Sequence, residues 1–260
     1  MEDTTDRPSY EPELTGPPTP STQQKYSAVQ RLWMMFTSPG EVFADIKIKP
    51  TWVLCMIAYI AVVTVGSLVV YSHMDHEANI RSGLQMMSIE VPEEQIEEAV
   101  QRSEDHWYRK PLLIGLVAWP IILFISAAVF LLMFKMTGSD AGYVESLSTM
   151  LHAYWPSKTV YSVLLAVLVT AKGTVTEFGM VRVLKSSVAG FLSGDVSLPM
   201  ITFTSFIDVF RIWGIVLLII GFGIVAGISR GKAVAAAIIP WILLIAFWTA
   251  LSALPSLFTG

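Results

Sequence analysis

The stretch PLLIGLVAWPIILFISAAVFLLMF at residues 111–134 decides the fold class, because it carries no charged side chain over 24 residues. At a rise of about 1.5 Å per residue, an α-helix of this length is about 36 Å long, which is enough to cross the hydrocarbon core of a bilayer. Residues 50–72 and 233–260 are also free of charge and mostly apolar. The sequence therefore predicts a membrane protein with several transmembrane helices.

The composition of the whole chain supports this class. Hydrophobic residues make up 53% and charged residues 15% of the 260 residues, against about 25% charged in soluble domains, and the mean hydropathy is +0.59. A net charge of −4 without a basic stripe argues against a nucleic-acid partner. The single cysteine, Cys55, excludes a disulfide within the chain and a cysteine zinc site. We expect no metal and no cofactor.

Two further apolar stretches are interrupted by charged residues. Residues 146–171 are uncharged except for Lys158, and residues 200–229 are apolar except for Asp208 and Arg211. Five spans is the best count, and three spans is the alternative if these two stretches lie at the membrane surface. The sequence thus predicts an all-α polytopic membrane bundle with spans at about 50–72, 111–135, 143–171, 200–229 and 233–254.

Polar segments lie on both sides of the first span. Residues 1–26 hold proline, threonine, serine and acidic residues with few apolar ones, which predicts a disordered cytosolic tail. Residues 73–110 form a long acidic connection, and Pro92 followed by Glu93 predicts a helix start within it. We expect this connection to be a small helical cap outside the cytoplasm.

Residues 27–49 are predicted to form two short amphipathic helices in the headgroup region of the membrane. Trp33 lies on an apolar stripe with helical spacing, and Lys47 and Lys49 lie just before the first span. Tryptophan and lysine at such positions are typical interface anchors. The sequence Ser-Pro-Gly-Glu at 38–41 has the form of a capping box that would start the second helix. A helix that binds a soluble partner is the alternative.

The charged side chains inside the apolar stretches are the candidate functional residues. A charge at the bilayer centre costs about 2.5–3.5 kcal/mol on insertion scales, so such residues usually face the bundle interior and pair. Asp208 and Arg211 are three residues apart and share a helix face. We hypothesise an intramembrane cluster of Lys158, Asp208 and Arg211 with a contact between Lys158 and Asp208. This cluster would be an ion or proton pathway, or a structural ion pair. If the true spans are 157–171 and 212–229, the charges would instead lie at the membrane surface.

The chain lacks three common enzyme motifs. H-E-x-x-H, the P-loop and G-x-G-x-x-G are absent from the sequence, and we expect no catalytic residue. Gly223 and Gly227 form a G-xxx-G pair. This spacing lets helices approach closely, either within the chain or between two copies of it.

The orientation follows from lysine and arginine in short loops, which favour the cytoplasmic side. Arg230 and Lys232 lie in the tight connection before the last span. We therefore expect a multi-pass protein of the cell membrane with its N-terminus in the cytoplasm.

Three segments, in this order, resemble the Yip (Ypt/Rab-interacting protein) domain family in its prokaryotic branch. They are FTSPGEVFADIKIKP at 36–50, the loop and third span at 135–156 that end in AYWP, and IDVFRIWG through RGK at 207–232. The resemblance implies a bundle of five helices with a cytosolic N-terminus. For eukaryotic relatives it implies roles in vesicle traffic, small-GTPase interaction and membrane shaping. The positions that match the family pattern are Ser38, Pro39, Phe43, Gly142, Tyr154, Pro156, Asp208 and Trp213.

For prokaryotic members the resemblance implies a fold rather than an activity. The expected function is a non-enzymatic integral membrane protein that organises the membrane or binds partners. Its partners would be the lipid bilayer and other membrane proteins, which residues 27–49 would meet on the cytosolic face and residues 73–110 outside. The alternative is a small transporter, channel or lipid-moving protein that uses the charge cluster. Copies of the chain could also associate through Gly223 and Gly227.

Overall fold

The computed structural model of the protein describes residues 24–86, 89–176, 179–193 and 196–258, and these residues form helices and connections without a β-sheet. Most of the predicted tail, residues 1–23, lies outside the described residues. The helices are α1 (Ala28–Met34), α2 (Pro39–Ile48), α3 (Val53–Ser72), α4 (His76–Met86), α5 (Glu93–Asp105), α6 (Arg109–Leu113), a π-helical turn (Ile114–Ala118), α7 (Trp119–Met136), α8 (Tyr143–Lys172), α9 (Met180–Leu184), a 3-10 turn (Val188–Phe191), α10 (Leu198–Ser205), α11 (Val209–Val225) and α12 (Arg230–Phe258).

The central helix of the bundle is α8. It packs against α3, α7 and α11, while α12 packs against α10 and α11. Because lipid tails are as apolar as leucine, close packing between helices rather than removal from water stabilises such a bundle. Large apolar side chains buried in the bundle include Tyr59, Phe134, Leu151, Leu218 and Phe222, together with Phe43 of α2.

A glycine permits a close approach between α3 and the π-helical turn. A Cβ atom at Gly115 would lie 2.1 Å from Oγ1 of Thr64, so a larger residue would push the two helices apart. Pro120 follows this turn in the first turn of α7. A proline ring clashes with the carbonyl group four residues earlier in a regular α-helix, and the wider π-helical turn relieves that clash.

Three helices in the described part of the chain are long and apolar enough to cross a membrane: Val53–Ser72, Arg109–Met136 and Arg230–Leu254. The protein is therefore an all-helical membrane protein. The helix α8 is long enough but carries Lys158, and α11 is apolar but has only 17 residues. The count of five spans stays a prediction.

The stretch predicted as one span at 200–229 is not one continuous helix. It is broken between α10, which ends at Ser205, and α11, which begins at Val209. Asp208 is the residue that caps α11. An aspartate directly before an apolar run is a helix-start signal, and it sets the break here.

The acidic connection after the first span contains α4 and α5. The helix α5 begins at Glu93 after Pro92, where the sequence predicts a helix start. Arg81 on α4 forms ion pairs with Glu77 on the same helix and with Glu93 on α5. Exposed pairs of this kind contribute about 0–1 kcal/mol each, so they align the two helices without holding them firmly.

Candidate functional sites

The two short helices before α3 pack on the bundle as one unit, which we call the platform (residues 28–48). Ser27 and Gln30 form a capping box at the start of α1. Pro39 begins α2, but the Ser38 side chain makes no capping hydrogen bond. The capping box predicted at 38–41 is therefore not formed, and the fixed φ angle of proline starts the helix instead.

The inner face of α2 is covered by protein. Val42, Phe43 and Ile46 are fully buried, and α2 packs against α11 and α8. A Cβ atom at Gly221 of α11 would lie 2.6 Å from Cγ2 of Thr149 and 2.8 Å from Cε1 of Phe43. The apolar stripe of α2 thus faces the bundle, and a glycine lets it lie close.

A buried ion pair joins the two helices of the platform. Nε of Arg31 on α1 donates to Oδ2 of Asp45 on α2 at 2.9 Å, and the two side chains are 0% and 2% exposed. Nη2 of Arg31 donates to the carbonyl oxygen of Asp45 at 3.2 Å. Nη1 donates to the carbonyl oxygen of Lys49 at 3.0 Å and to Oγ1 of Thr51 at 2.6 Å. One guanidinium therefore connects α1, α2 and the residues just before α3.

The Asp45 carboxylate also accepts hydrogen bonds from the main chain. The N–H groups of Lys25 and Tyr26 donate to it at 2.6 and 3.1 Å. Burial alone would raise the pKa of Asp45, but these main-chain donors and the Arg31 guanidinium together hold it below its ordinary value. The carboxylate is therefore ionised at neutral pH.

Two contacts fix α1 to the bundle. Nε1 of Trp155 on α8 donates to the carbonyl oxygen of Leu32 at 3.0 Å. The ring of Phe36, just after α1, packs edge-on against Trp213 of α11, with 6.4 Å between ring centres. The position of α1 is thus set by both α8 and α11.

The outer face of α1 is apolar and exposed. Val29 and Trp33, one helical turn apart, are 67% and 72% exposed. Lys47 and Lys49 are exposed as well. The three predicted interface anchors therefore lie on the surface of the protein, and their contact with lipid headgroups stays a prediction.

A cavity of about 770 Å³ lies between α7, α8, α11 and α12, and residues of α9 and α10 also line it. This volume is within the range of about 300–1,000 Å³ that is usual for ligand sites. The structure brings Lys158, Asp208 and Arg211 together on its wall. Its aromatic lining includes Trp119, Tyr154, Tyr161, Phe206, Phe247 and Trp248.

Asp208 acts on this wall as a helix cap. Oδ1 accepts the N–H groups of Phe210 at 2.9 Å and Arg211 at 3.1 Å, and Oδ2 accepts the hydroxyl group of Ser186. The main chain beside it is tied down, since the N–H of Val209 donates to the carbonyl oxygen of Ser186 at 3.0 Å. Both carboxylate oxygens of Asp208 are therefore engaged within the fold.

The two cations of the cavity lie against aromatic rings instead of carboxylates. Nζ of Lys158 lies 5.6 Å from the ring centre of Trp119 and 5.8 Å from that of Tyr161. The Arg211 guanidinium lies 4.4 Å from the ring centre of Phe206. Among the residues that the structure describes, neither cation has a carboxylate within 4 Å. The hypothesised contact between Lys158 and Asp208 is thus not an ion pair.

Comparison with known proteins identifies the family. The Yip1 domain model matches residues 33–251, which include α2 and the whole lining of the cavity. The chain belongs to the Yip1 domain family. No curated protein and no solved structure matches it. The match and the apolar helices together establish a multi-pass membrane protein with a Yip1 domain.

Three positions that match the family pattern lie in the packed part of α2 or α8 of this Yip1 domain. Phe43 lies against Gly221, as described above. A Cβ atom at Gly214 would lie 2.8 Å from Cδ1 of Tyr154, and Pro156 is buried inside α8. The burial of Phe43 and Pro156 and the close contact of Tyr154 with α11 are typical of helix packing.

The remaining family-pattern positions lie at helix ends or beside the platform. Gly142 precedes α8, and its N–H donates to Oε2 of Glu145 at 3.2 Å. Ser38 and Pro39 start α2, Asp208 caps α11, and Trp213 contacts Phe36 of the platform. These residues set where helices begin and how they dock.

The predicted pair of glycines does not form a helix-packing motif. Gly223 lies in α11, but α11 ends at Val225, and Gly227 has a φ angle of 65° in the turn that follows. The two glycines therefore do not share one helix face. Association between copies of this Yip1-domain protein stays a prediction without that motif.

The sequence prediction missed the ion pair of Arg31 and Asp45. A signal for it was present, because Asp45 lies three residues after Val42 and next to Ile46 and so falls on the buried face of α2. A carboxylate on a buried helix face needs a partner. Which cation supplies that partner depends on how α1 docks, which helical spacing does not specify.

Proposed function

We propose that this Yip1-domain protein is a non-enzymatic membrane organiser that binds other membrane proteins through the platform. The observation that carries the proposal is the buried ion pair of Arg31 and Asp45. Burying such a pair is costly, and apolar residues in its place are often neutral or stabilising. A chain that keeps the pair gains a fixed position for α1, because the Arg31 guanidinium on α1 has partners on α2, at its end and in the residues just before α3.

The exposed tryptophan on this fixed helix favours protein recognition. Tryptophan is among the residues that contribute most of the binding energy at protein interfaces. Binding costs less when the contacting side chain is already held in place. Trp33 is 72% exposed on a helix held by α8 and α11, whereas a lipid anchor gains little from such rigidity, since headgroups adapt to it.

Photo-crosslinking in native membranes tests the proposal. A photo-reactive amino acid at position 33 is compared with one at position 57, because Ile57 is 59% exposed on α3, a helix long enough to span the membrane. We expect a protein adduct of defined mass from position 33 and lipid adducts alone from position 57. Lipid adducts alone from both positions would overturn the proposal.

A second variant tests whether rigidity matters. Trp155→Phe keeps an aromatic ring on α8 but removes the N–H that donates to Leu32. We expect a lower yield of the protein adduct from position 33 with unchanged amounts of folded protein. An unchanged yield would contradict the role of preorganisation.

A flux measurement tests the transporter alternative. Solute flux across liposomes that is lost in Asp208→Asn would support that alternative instead.

A further inference from the structure

The cavity carries more positive charge than the fold compensates. Lys158 and Arg211 line it without a carboxylate within 4 Å among the described residues. Among the described lining residues the one carboxylate is Asp208. Its hydrogen bonds come from neutral N–H and hydroxyl groups, so it keeps its negative charge and offsets one of the two cations. Cations in apolar surroundings are costly unless an anion accompanies them. A bound anion would supply the charge that the protein leaves out.

The rest of the lining suits hydrocarbon. Trp241, Leu244, Phe247 and Trp248 bring a row of apolar side chains from α12 to the cavity, and Ile122 and Leu123 face it from α7. Nε1 of Trp241 is a buried donor without a hydrogen-bond partner in the described part of the chain. The cavity therefore combines two cations with an extensive apolar surface from α7 and α12.

A phosphate group fits the two cations. A guanidinium presents paired N–H donors that match phosphate oxygens, and an ammonium adds a point charge from a second direction. A free phosphate ion would use the cations but leave the apolar walls bare. We propose that the cavity binds an anionic phospholipid, with its phosphate between Lys158 and Arg211 and its hydrocarbon against the side chains of α7 and α12.

This inference is independent of the proposed function. The platform occupies residues 28–48, and within the described chain none of these residues lines the cavity. A lipid in the cavity and a partner protein on the platform can therefore be present or absent separately.

The test measures retention of added lipid by the full-length protein in neutral detergent. Phosphatidylglycerol and phosphatidylcholine with identical acyl chains are added, and native mass spectrometry counts the lipids retained. We expect one phosphatidylglycerol to be retained in preference to phosphatidylcholine. Lys158→Met and Arg211→Met should each weaken this retention about tenfold, as expected for loss of a charge-assisted hydrogen bond. Arg230→Met, which removes an exposed cation outside the cavity, should leave it unchanged.

Two further measurements keep the result interpretable. Lys158→Arg keeps the positive charge and should retain phosphatidylglycerol like the wild type. The melting temperature of Lys158→Met without lipid should be unchanged or higher, which would show that this variant folds. Equal retention of the two lipids, or an equal loss in Arg230→Met, would overturn the proposal. Displacement of phosphatidylglycerol by inorganic phosphate alone would assign the site to a free anion and would also overturn it.

Discussion

The platform and the cavity both place charged side chains among apolar helices, but they treat charge in opposite ways. In the platform, Arg31 makes four hydrogen bonds and Asp45 accepts donors on both oxygens. In the cavity, Lys158 and Arg211 lie on aromatic faces without a carboxylate within 4 Å in the described chain. The charges of the platform are fully paired and have no capacity to bind a ligand. The cations of the cavity are incompletely paired beside an open volume, and so they can bind one.

The largest expected difference between the two regions is the loss of folding stability when the aspartate in each is replaced by asparagine. Asp45→Asn leaves Arg31 buried without a counter-ion and should lower the free energy of unfolding by about 3–5 kcal/mol. Asp208→Asn keeps a good helix cap, because asparagine and aspartate cap helices equally well, and should cost under about 1 kcal/mol. Chemical unfolding in detergent measures both values.

Two results would break this first comparison. Equal costs for the two asparagine variants would mean that Asp208 is a paired charge like Asp45. Tolerance of Asp208→Ala would show that the cap is unimportant, since loss of a cap should cost about 0.5–2 kcal/mol.

The packing of the platform on α11 gives the next largest effect. Gly221→Ala would place a Cβ atom 2.6 Å from Thr149 and 2.8 Å from Phe43, and overpacking of this kind costs about 1–3 kcal/mol. Gly223→Ala, two residues away, is the matched control, because its nearest neighbour is a carbonyl oxygen at 4.0 Å. We expect Gly221→Ala to lower the melting temperature and Gly223→Ala to leave it unchanged or slightly raised. Similar values for both would mean that α2 does not lie against α11 as described.

Acid should weaken the platform by protonating Asp45. Because the pKa of folded Asp45 lies below its ordinary value, its contribution to stability is complete above the unfolded pKa of about 4 and is lost as the pH falls through the lower folded value. Unfolding measured down to acidic pH should show this loss in the wild type. Asp45→Asn should remove this part of the pH dependence, and an unchanged profile would contradict the assignment.

The smallest expected effect comes from Lys158. Within the described chain Lys158 has no carboxylate within 4 Å. Its removal should therefore leave stability without lipid unchanged or slightly higher, so Lys158→Met should melt at or just above the wild-type temperature. A large loss of stability would show that its contacts with Trp119 and Tyr161 hold the fold together.

The sequence predicts the class and the family more fully than the details of the sites. Uncharged runs such as 111–134 predict membrane helices because a bilayer requires about 20 apolar residues per helix. The break at 206–208 is not apparent from hydropathy, because Phe206, Ile207, Val209 and Phe210 keep the stretch apolar across it. The helix-start signal at Asp208 is local, but its burial beside Ser186 depends on how distant segments fold together.

The candidate sites divide in the same way. The residues Lys158, Asp208 and Arg211 were predictable as a group, since charges are rare in apolar stretches and tend to converge. Their arrangement around a cavity instead of in an ion pair was not, because it depends on the position of the rings of Trp119 and Phe206. The pair of Arg31 and Asp45 spans 14 residues and two helices, a separation at which helical spacing carries no information.

The most direct test of the contrast between paired and unpaired charge uses two matched variants, Arg31→Met and Arg211→Met. Their melting temperatures are measured with and without phosphatidylglycerol, because a ligand that binds the folded state raises this temperature. We expect Arg31→Met to melt lower without lipid but to keep the lipid-induced rise, and Arg211→Met to melt like the wild type without lipid and to lose that rise. The same response from both variants would contradict this contrast.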